Sequence, residues 1–119
     1  MKILLVEDEA FILDCITQVL TKEGYEVFAA EEFDKAISIL KSQDIDMIIS
    51  DVMLPYIGGF DIVDFVRNDS EKKDIPIILI TGMDENILHN TNIKADFCIT
   101  KPFTSTQLLK AIKKYSLVS

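Results

Sequence analysis

Four short apolar runs in this chain each stop on polar residues: Ile3-Leu4-Leu5-Val6 on Glu7-Asp8-Glu9, Met47-Ile48-Ile49-Ser50 on Asp51, Ile77-Ile78-Leu79-Ile80 on Thr81-Gly82, and Phe97-Cys98-Ile99-Thr100 on Lys101-Pro102. Short runs without polar alternation are the mark of strands covered on both faces. Strand-like runs alternate with segments of helical period five times along the sequence, the pattern of an α/β parallel sheet with helices on both faces. Open sheets of this kind place their sites at the carboxyl ends of the strands. Glu7, Asp8, Asp51, Thr81 and Lys101 are therefore expected to meet along one edge.

The first helix is predicted over Ala10 to Lys22, with Ile12, Ile16, Val19 and Leu20 at helical spacing and Gly24 just past its end as the stop. A strand from Tyr25 to Ala29 follows, then a helix from Phe33 to Lys41 whose inward face is Ala36, Ile37 and Leu40. The third strand is Met47 to Asp51. Pro55 and Gly58-Gly59 mark an irregular loop before a helix from Phe60 to Arg67 with Ile62, Val63 and Val66 inward. Lys72-Lys73-Asp74 is a polar connector, and Pro76 opens the fourth strand, where its missing N–H is tolerated. Asp84 to Lys94 is a weak helical segment, since His89-Asn90-Thr91-Asn92 is a run of poor helix formers. The last helix follows a capping box, Thr104-Ser105-Thr106-Gln107, and carries Leu108, Leu109 and Ile112 on one face, with a fraying tail from Tyr115 to Ser119.

At 119 residues and 49% hydrophobic content the chain reads as one globular domain spanning 1–119. No apolar run is long enough to span a bilayer and no secretory leader is evident, so a cytoplasmic location is expected and no membrane partner. A formal charge of −8, with twelve dispersed basic residues, argues against direct nucleic-acid binding, which needs clustered Lys and Arg. Cys15 and Cys98 fit no metal or redox spacing and are read as reduced, buried thiols. The lone His89 is read as a surface residue.

Glu7, Asp8 and Asp51 repel one another if brought together, and a hard divalent cation with oxygen ligands relieves that repulsion. Magnesium is preferred where a phosphoryl group shares the coordination sphere, with manganese as a substitute. Asp51 is then a carboxylate nucleophile able to form an acyl phosphate. Lys101 can neutralise one phosphoryl oxygen, Thr81 can donate its hydroxyl to another, and loop N–H groups can serve the rest. The set is chemically complete for phosphoryl transfer to a side chain and incomplete for nucleotide binding, since neither nucleotide-binding glycine motif is present; taken singly, Asp8, Asp51, Thr81-Gly82 and Lys101-Pro102 each also read as turn, cap or loop residues.

This ordered set, from Lys2-Ile3-Leu4-Leu5-Val6-Glu7-Asp8-Glu9 through Ser50-Asp51-Val52-Met53-Leu54-Pro55 and Gly59 to Ile99-Thr100-Lys101-Pro102-Phe103, resembles the receiver domains of two-component response regulators. The resemblance implies a flavodoxin-like (βα)5 fold, doubly wound, with strand order 2-1-3-4-5. It implies that Asp51 accepts a phosphoryl group from a sensor histidine kinase or a histidine phosphotransfer protein. Asp8 would bind magnesium directly, Glu7 through water, and Met53 by its backbone carbonyl. Thr81 and Lys101 would grip the phosphoryl oxygens, with the Gly82 N–H adding a contact. The switch would pair Thr81 with the residue three before Lys101, and the face made by the fourth helix, fifth strand and fifth helix would meet a downstream protein or a second copy of the chain.

The sequence departs from the family at that switch. Cys98 stands where the family usually carries an aromatic, and Phe97 beside it points to the other face of its strand. The stretch between Thr81 and Lys101 is about two residues shorter than the family's, which predicts a fourth helix that is short or partly disordered before phosphorylation. Gly58 replaces a frequent Asp. Met53 and Met83 stand two residues beyond Asp51 and Thr81, either as ordinary loop residues or as apolar screens that slow loss of phosphate. Two competitors remain. One is a receiver-like interaction module working without phosphorylation. The other is a phosphatase of the haloacid dehalogenase type, which wants an Asp where Met53 stands; the chain is accordingly expected to modify itself and not to turn over a separate substrate.

Overall fold

The computed structural model describes residues 1–51, 59–82 and 95–116, with the side chains of 59–61 left aside. Along the chain run β1 (Lys2–Val6), α1 (Ala10–Lys22), β2 (Glu26–Ala30), α2 (Phe33–Ser42), β3 (Met47–Asp51), α3 (Gly59–Arg67), β4 (Ile77–Thr81), β5 (Phe97–Thr100) and α4 (Ser105–Tyr115). The strands form one sheet in the order β2-β1-β3-β4-β5, every neighbouring pair parallel. This is the parallel sheet that the alternation predicts, in the flavodoxin-like doubly wound order that the resemblance implies, and its order reverses between β1 and β3.

Alternate residues of each central strand feed two cores. Leu4, Val6, Ile48, Ile77 and Leu79 pack with Ala36 and Leu40 of α2 and with Ile62, Val63 and Val66 of α3. Ile3, Leu5, Met47, Ile49, Ile78 and Ile80 pack on the other face with Leu13, Ile16 and Leu20 of α1 and with Leu108, Ala111 and Ile112 of α4. β3 and β4 are buried along their whole length, which is why they read as unbroken apolar runs. Each side chain of this size contributes on the order of 1.5–3 kcal/mol by leaving water.

Local chemistry sets the element ends. α1 stops in a Schellman arrangement: Gly24 takes φ +92°, its N–H donates to Thr21 C=O, and the Tyr25 N–H donates to Leu20 C=O. Glycine carries that left-handed conformation without a steric penalty. α4 opens on the predicted capping box, with Thr104 Oγ1 accepting the Gln107 N–H at 3.1 Å and Gln107 Oε1 accepting the Thr104 N–H at 2.8 Å. The Lys101–Pro102 peptide bond is cis.

Several expectations need correction. β2 begins at Glu26, one residue later than predicted, because Tyr25 belongs to the helix stop. On α1 Leu13 is buried along with Ile16 and Leu20, whereas Ile12 and Val19 are half-buried, and on α4 Ala111 is buried while Leu109 is half-buried. Cys15 is exposed and Cys98 half-buried, neither in a disulfide. Cys15 lies one residue off the Leu13–Ile16–Leu20 stripe, so apolar neighbours in sequence did not make it a core residue. Pro55, Gly58, Met53, Met83, the Asp84–Lys94 segment with His89, and residues 117–119 lie outside the described residues. Among the described residues no helix is long and apolar enough to cross a membrane.

Candidate functional site

Register decides which strand ends meet. Val6 pairs with Ser50 and Asp51 with Ile80, so Glu7, just past β1, stands beside Asp51 at the end of β3. Thr81 pairs with Thr100, and the next residue, Lys101, donates its backbone N–H to the Thr81 C=O at 2.7 Å. Glu7, Asp8, Asp51, Thr81 and Lys101 thus share the carboxyl edge of the sheet, as the sequence predicts.

Lys101 reaches back over this edge. Its Nζ lies 2.7 Å from Asp51 Oδ2 and 3.3 Å from Glu7 Oε1. Glu7 Oε2 accepts the Glu9 N–H at 3.2 Å. Glu7, Asp8 and Asp51 each offer an oxygen within 4.8 Å of the others. Exposure is 1% at Glu7, 2% at Asp51 and 0% at Thr81, so water screens these charges poorly and they act on one another strongly.

Electrostatics records the crowding. Burial pushes the Glu7 carboxyl from 4.5 up to about 7, the Glu9 N–H opposes that rise, and the negative charge of Asp51 adds to it. At Lys101 burial works against the ammonium, but the hydrogen bond and charge of Asp51 and the charge of Glu7 outweigh it and hold the group above its ordinary value. One ammonium therefore serves two carboxylates, with a third acid beside them. Three carboxylate donors on two strand ends are hard ligands whose mutual repulsion a divalent cation would offset, and the set fits magnesium.

The fifth strand sends its two leading residues to opposite faces. Phe97 stacks on Tyr115 of α4 with ring centroids 5.3 Å apart, while Cys98 packs against the core beneath α2 and α3. Gly82 follows Thr81 and is exposed. Sequence reasoning passed over the far end of the sheet, where Arg67 Nη2 binds Asp96 Oδ2 at 2.8 Å and Nη1 donates to the Lys73 and Ile75 carbonyls, each at 2.7 Å. Asp69, which sequence reasoning also passed over, accepts the Glu71 and Lys72 N–H groups in an Asx turn.

Topology and edge together define a doubly wound α/β protein whose crevice holds a carboxylate cluster bridged by a lysine. The chain belongs to the response regulator receiver domain family, whose profile it matches over residues 3–113. It is 35% identical over 114 residues to the phosphate regulon transcriptional regulatory protein PhoB of Escherichia coli (strain K12), an alignment covering 94% of this chain and 50% of that protein. The chain spans about half the length of the curated relatives it matches. Among solved structures it is similar to the chemotaxis response regulator CheY4 of Vibrio cholerae, with TM-score 0.87, 32% identity, and coverage of 95% of this chain and 96% of that one. It is also similar to the response regulator TrrA of Thermotoga maritima in complex with Mg(2+)-BeF, with TM-score 0.84, 32% identity and coverage of 95% and 96%.

Proposed function

We propose that residues 1–119 form a receiver domain of a phosphorelay that takes a phosphoryl group on Asp51 from a sensor histidine kinase or a histidine phosphotransfer protein. The observation that carries this reading is the pairing of a nearly buried Asp51 with the Lys101 ammonium at 2.7 Å inside an acidic cluster. A structural aspartate gains nothing from two further carboxylates at its side.

An Asp51 carboxylate oxygen attacks phosphorus, the N–P bond of the donor breaks, and the imidazole nitrogen leaves with the electron pair and takes up a proton. Asp51 is left as an acyl phosphate. Lys101 transfers its contact from the carboxylate to a phosphoryl oxygen, which keeps the positive charge where negative charge develops. The Thr81 hydroxyl and the Gly82 N–H serve the remaining oxygens. Magnesium, or manganese in its place, held by Asp8 and Asp51 directly, by Glu7 through water and by the Met53 carbonyl, would supply the positive charge that offsets the cluster and the incoming phosphate. The domain modifies itself and has no separate substrate.

The output follows from Thr81 and Cys98, whose strands carry the change to the face that meets a downstream protein or a second copy of the chain; direct nucleic-acid contact is not part of this reading, and the working place is the cytoplasm. Beryllofluoride, a phosphoryl mimic, tests it. With magnesium, amide NMR shifts at Asp51, Thr81 and Lys101 that spread to Cys98 and vanish in Asp51→Asn are expected. A wild type without response would favour the interaction module that works without phosphorylation.

A further inference from the structure

Two aspartates hold equivalent places at the amino end of the sheet, opposite the site. Asp46 stands one residue before β3. Its N–H donates to the Lys2 C=O at 2.8 Å, and its Oδ2 accepts the Lys2 N–H at 2.7 Å. Asp96 stands one residue before β5 and repeats both bonds on Ile77: its N–H donates to the Ile77 C=O at 2.9 Å, and its Oδ2 accepts the Ile77 N–H at 2.7 Å. Lys2 and Ile77 are the first residues of β1 and β4. The first N–H of a parallel strand looks past the start of its neighbour for an acceptor, and here a carboxylate supplies it.

Both brackets fit one register only, because each aspartate must lie directly opposite the residue it holds. Asp51 is the fifth residue after Asp46, and Lys101 is the fifth after Asp96. A slip of one residue would move either side chain by about 3.3 Å and turn it to the opposite face. That would break a contact of 2.7 Å between Lys101 Nζ and Asp51 Oδ2. β3 is held between β1 and β4, whereas β5 has four residues and, among the described residues, pairs with β4 alone. The β5 bracket is also the one reinforced from outside, since Arg67 grips the Asp96 carboxylate and ties it to the Lys73 and Ile75 carbonyls.

We propose that Asp46 and Asp96 are positioning residues, a matched pair of register pins that set the heights at which β3 delivers Asp51 and β5 delivers Lys101. This rests on the roles given to Asp51 and Lys101 above. Five residues of strand put each pin roughly 16 Å from the group it places, so the pins act through the strand and touch neither phosphate nor cation.

Asp96→Ala and Asp96→Asn in the full chain test this, read by exchange of the Lys101 amide, which donates to Thr81, by magnesium affinity, and by phosphorylation from acetyl phosphate. Asparagine keeps the acceptor for Ile77 and loses the charge for Arg67, so the order wild type, Asn, Ala is expected in both protection and rate. For Asp96→Ala the Lys101 amide should exchange about tenfold faster and phosphorylation should slow about tenfold, while the Ile49 amide and the magnesium affinity stay within about twofold. Asp46→Ala, acting on the strand that carries Asp51, should weaken magnesium binding as well. Equal acceleration at Ile49 and Lys101, or wild-type protection and rate in both Asp96 variants, would overturn the pins; if the alanine variant does not fold, the asparagine variant decides by the same comparison. Failure of the wild type to take up phosphate would instead remove the functional reading, and the ratio of Lys101 to Ile49 exchange would still decide the pins.

Discussion

The two ends of this sheet use the same residue types to opposite effect. At the amino end Asp46 and Asp96 are exposed, each accepts a backbone N–H, and each sits in solvent that screens its charge. At the carboxyl end Glu7 and Asp51 are buried beside Asp8, and one lysine serves two of them. The first arrangement holds strands in register at little electrostatic cost. The second crowds like charges out of water, which destabilises the fold and, on the function proposed, would ready the site for a cation and a phosphate. Stability and chemistry are separated by the length of five residues.

Replacing the acceptor should break that division most completely. Asp51→Asn is expected to abolish phosphoryl uptake, seen as loss of the phosphoryl adduct by mass spectrometry, while raising stability in denaturant because the repulsion with Glu7 is relieved. Lys101→Met should slow uptake about a hundredfold, the usual cost of losing one donor to developing negative charge, with magnesium affinity undiminished since no cation ligand is lost. Uptake at the wild-type rate in either variant would mean that the carboxyl end is not where the chemistry lies.

Acidity sharpens the contrast next. Glu7 titrates near 7 in the folded protein against 4.5 ordinarily. Between these values the folded state holds a proton that the unfolded chain has released, so its stabilisation is full below pH 4.5 and is lost as pH rises through 7. Without divalent cation, urea unfolding at pH 8 should show stability lower than at pH 4.5 by on the order of 3 kcal/mol. Magnesium should restore part of this at pH 8 and little at pH 4.5, and a stability that rises with pH in its absence would contradict the crowding described for Glu7.

The smallest expected effect is at the other end. Arg67→Ala strips partners from Asp96 and from the Lys73 and Ile75 carbonyls, which should cost about 1–3 kcal/mol in denaturant unfolding and leave magnesium affinity unchanged. A large loss of magnesium affinity would show that the two ends are not separable in this way.

The carboxyl end was legible in the sequence and the amino end was not. Glu7, Asp51, Thr81 and Lys101 each interrupt an apolar run, and a chain that alternates strand and helix has one place to put such interruptions. The bounds of β3 and β5 came out as predicted for the same reason, whereas β2, an edge strand of mixed exposure, was placed one residue early. Asp46 and Asp96 look like ordinary turn residues, because their partners are the backbone of strands 44 and 19 residues away. Arg67 was hidden likewise: its carbonyl partners are irregular backbone that carries no side-chain signature. Cys15 shows the converse error, in which apolar sequence neighbours suggested burial that helical geometry does not provide.

The lysine that bridges Glu7 and Asp51 comes from 94 residues beyond the one and 50 beyond the other. Contacts so distant along the chain are slow to form and require the intervening structure to be in place. A molecule whose β5 has not docked carries the acidic cluster but not its countercharge, and by the route proposed here it would receive phosphate slowly, as Lys101→Met is expected to. On the proposed function, completion of the site would then act as a proofreading step, since a fully assembled molecule would take up phosphate far faster than a partly folded or damaged one.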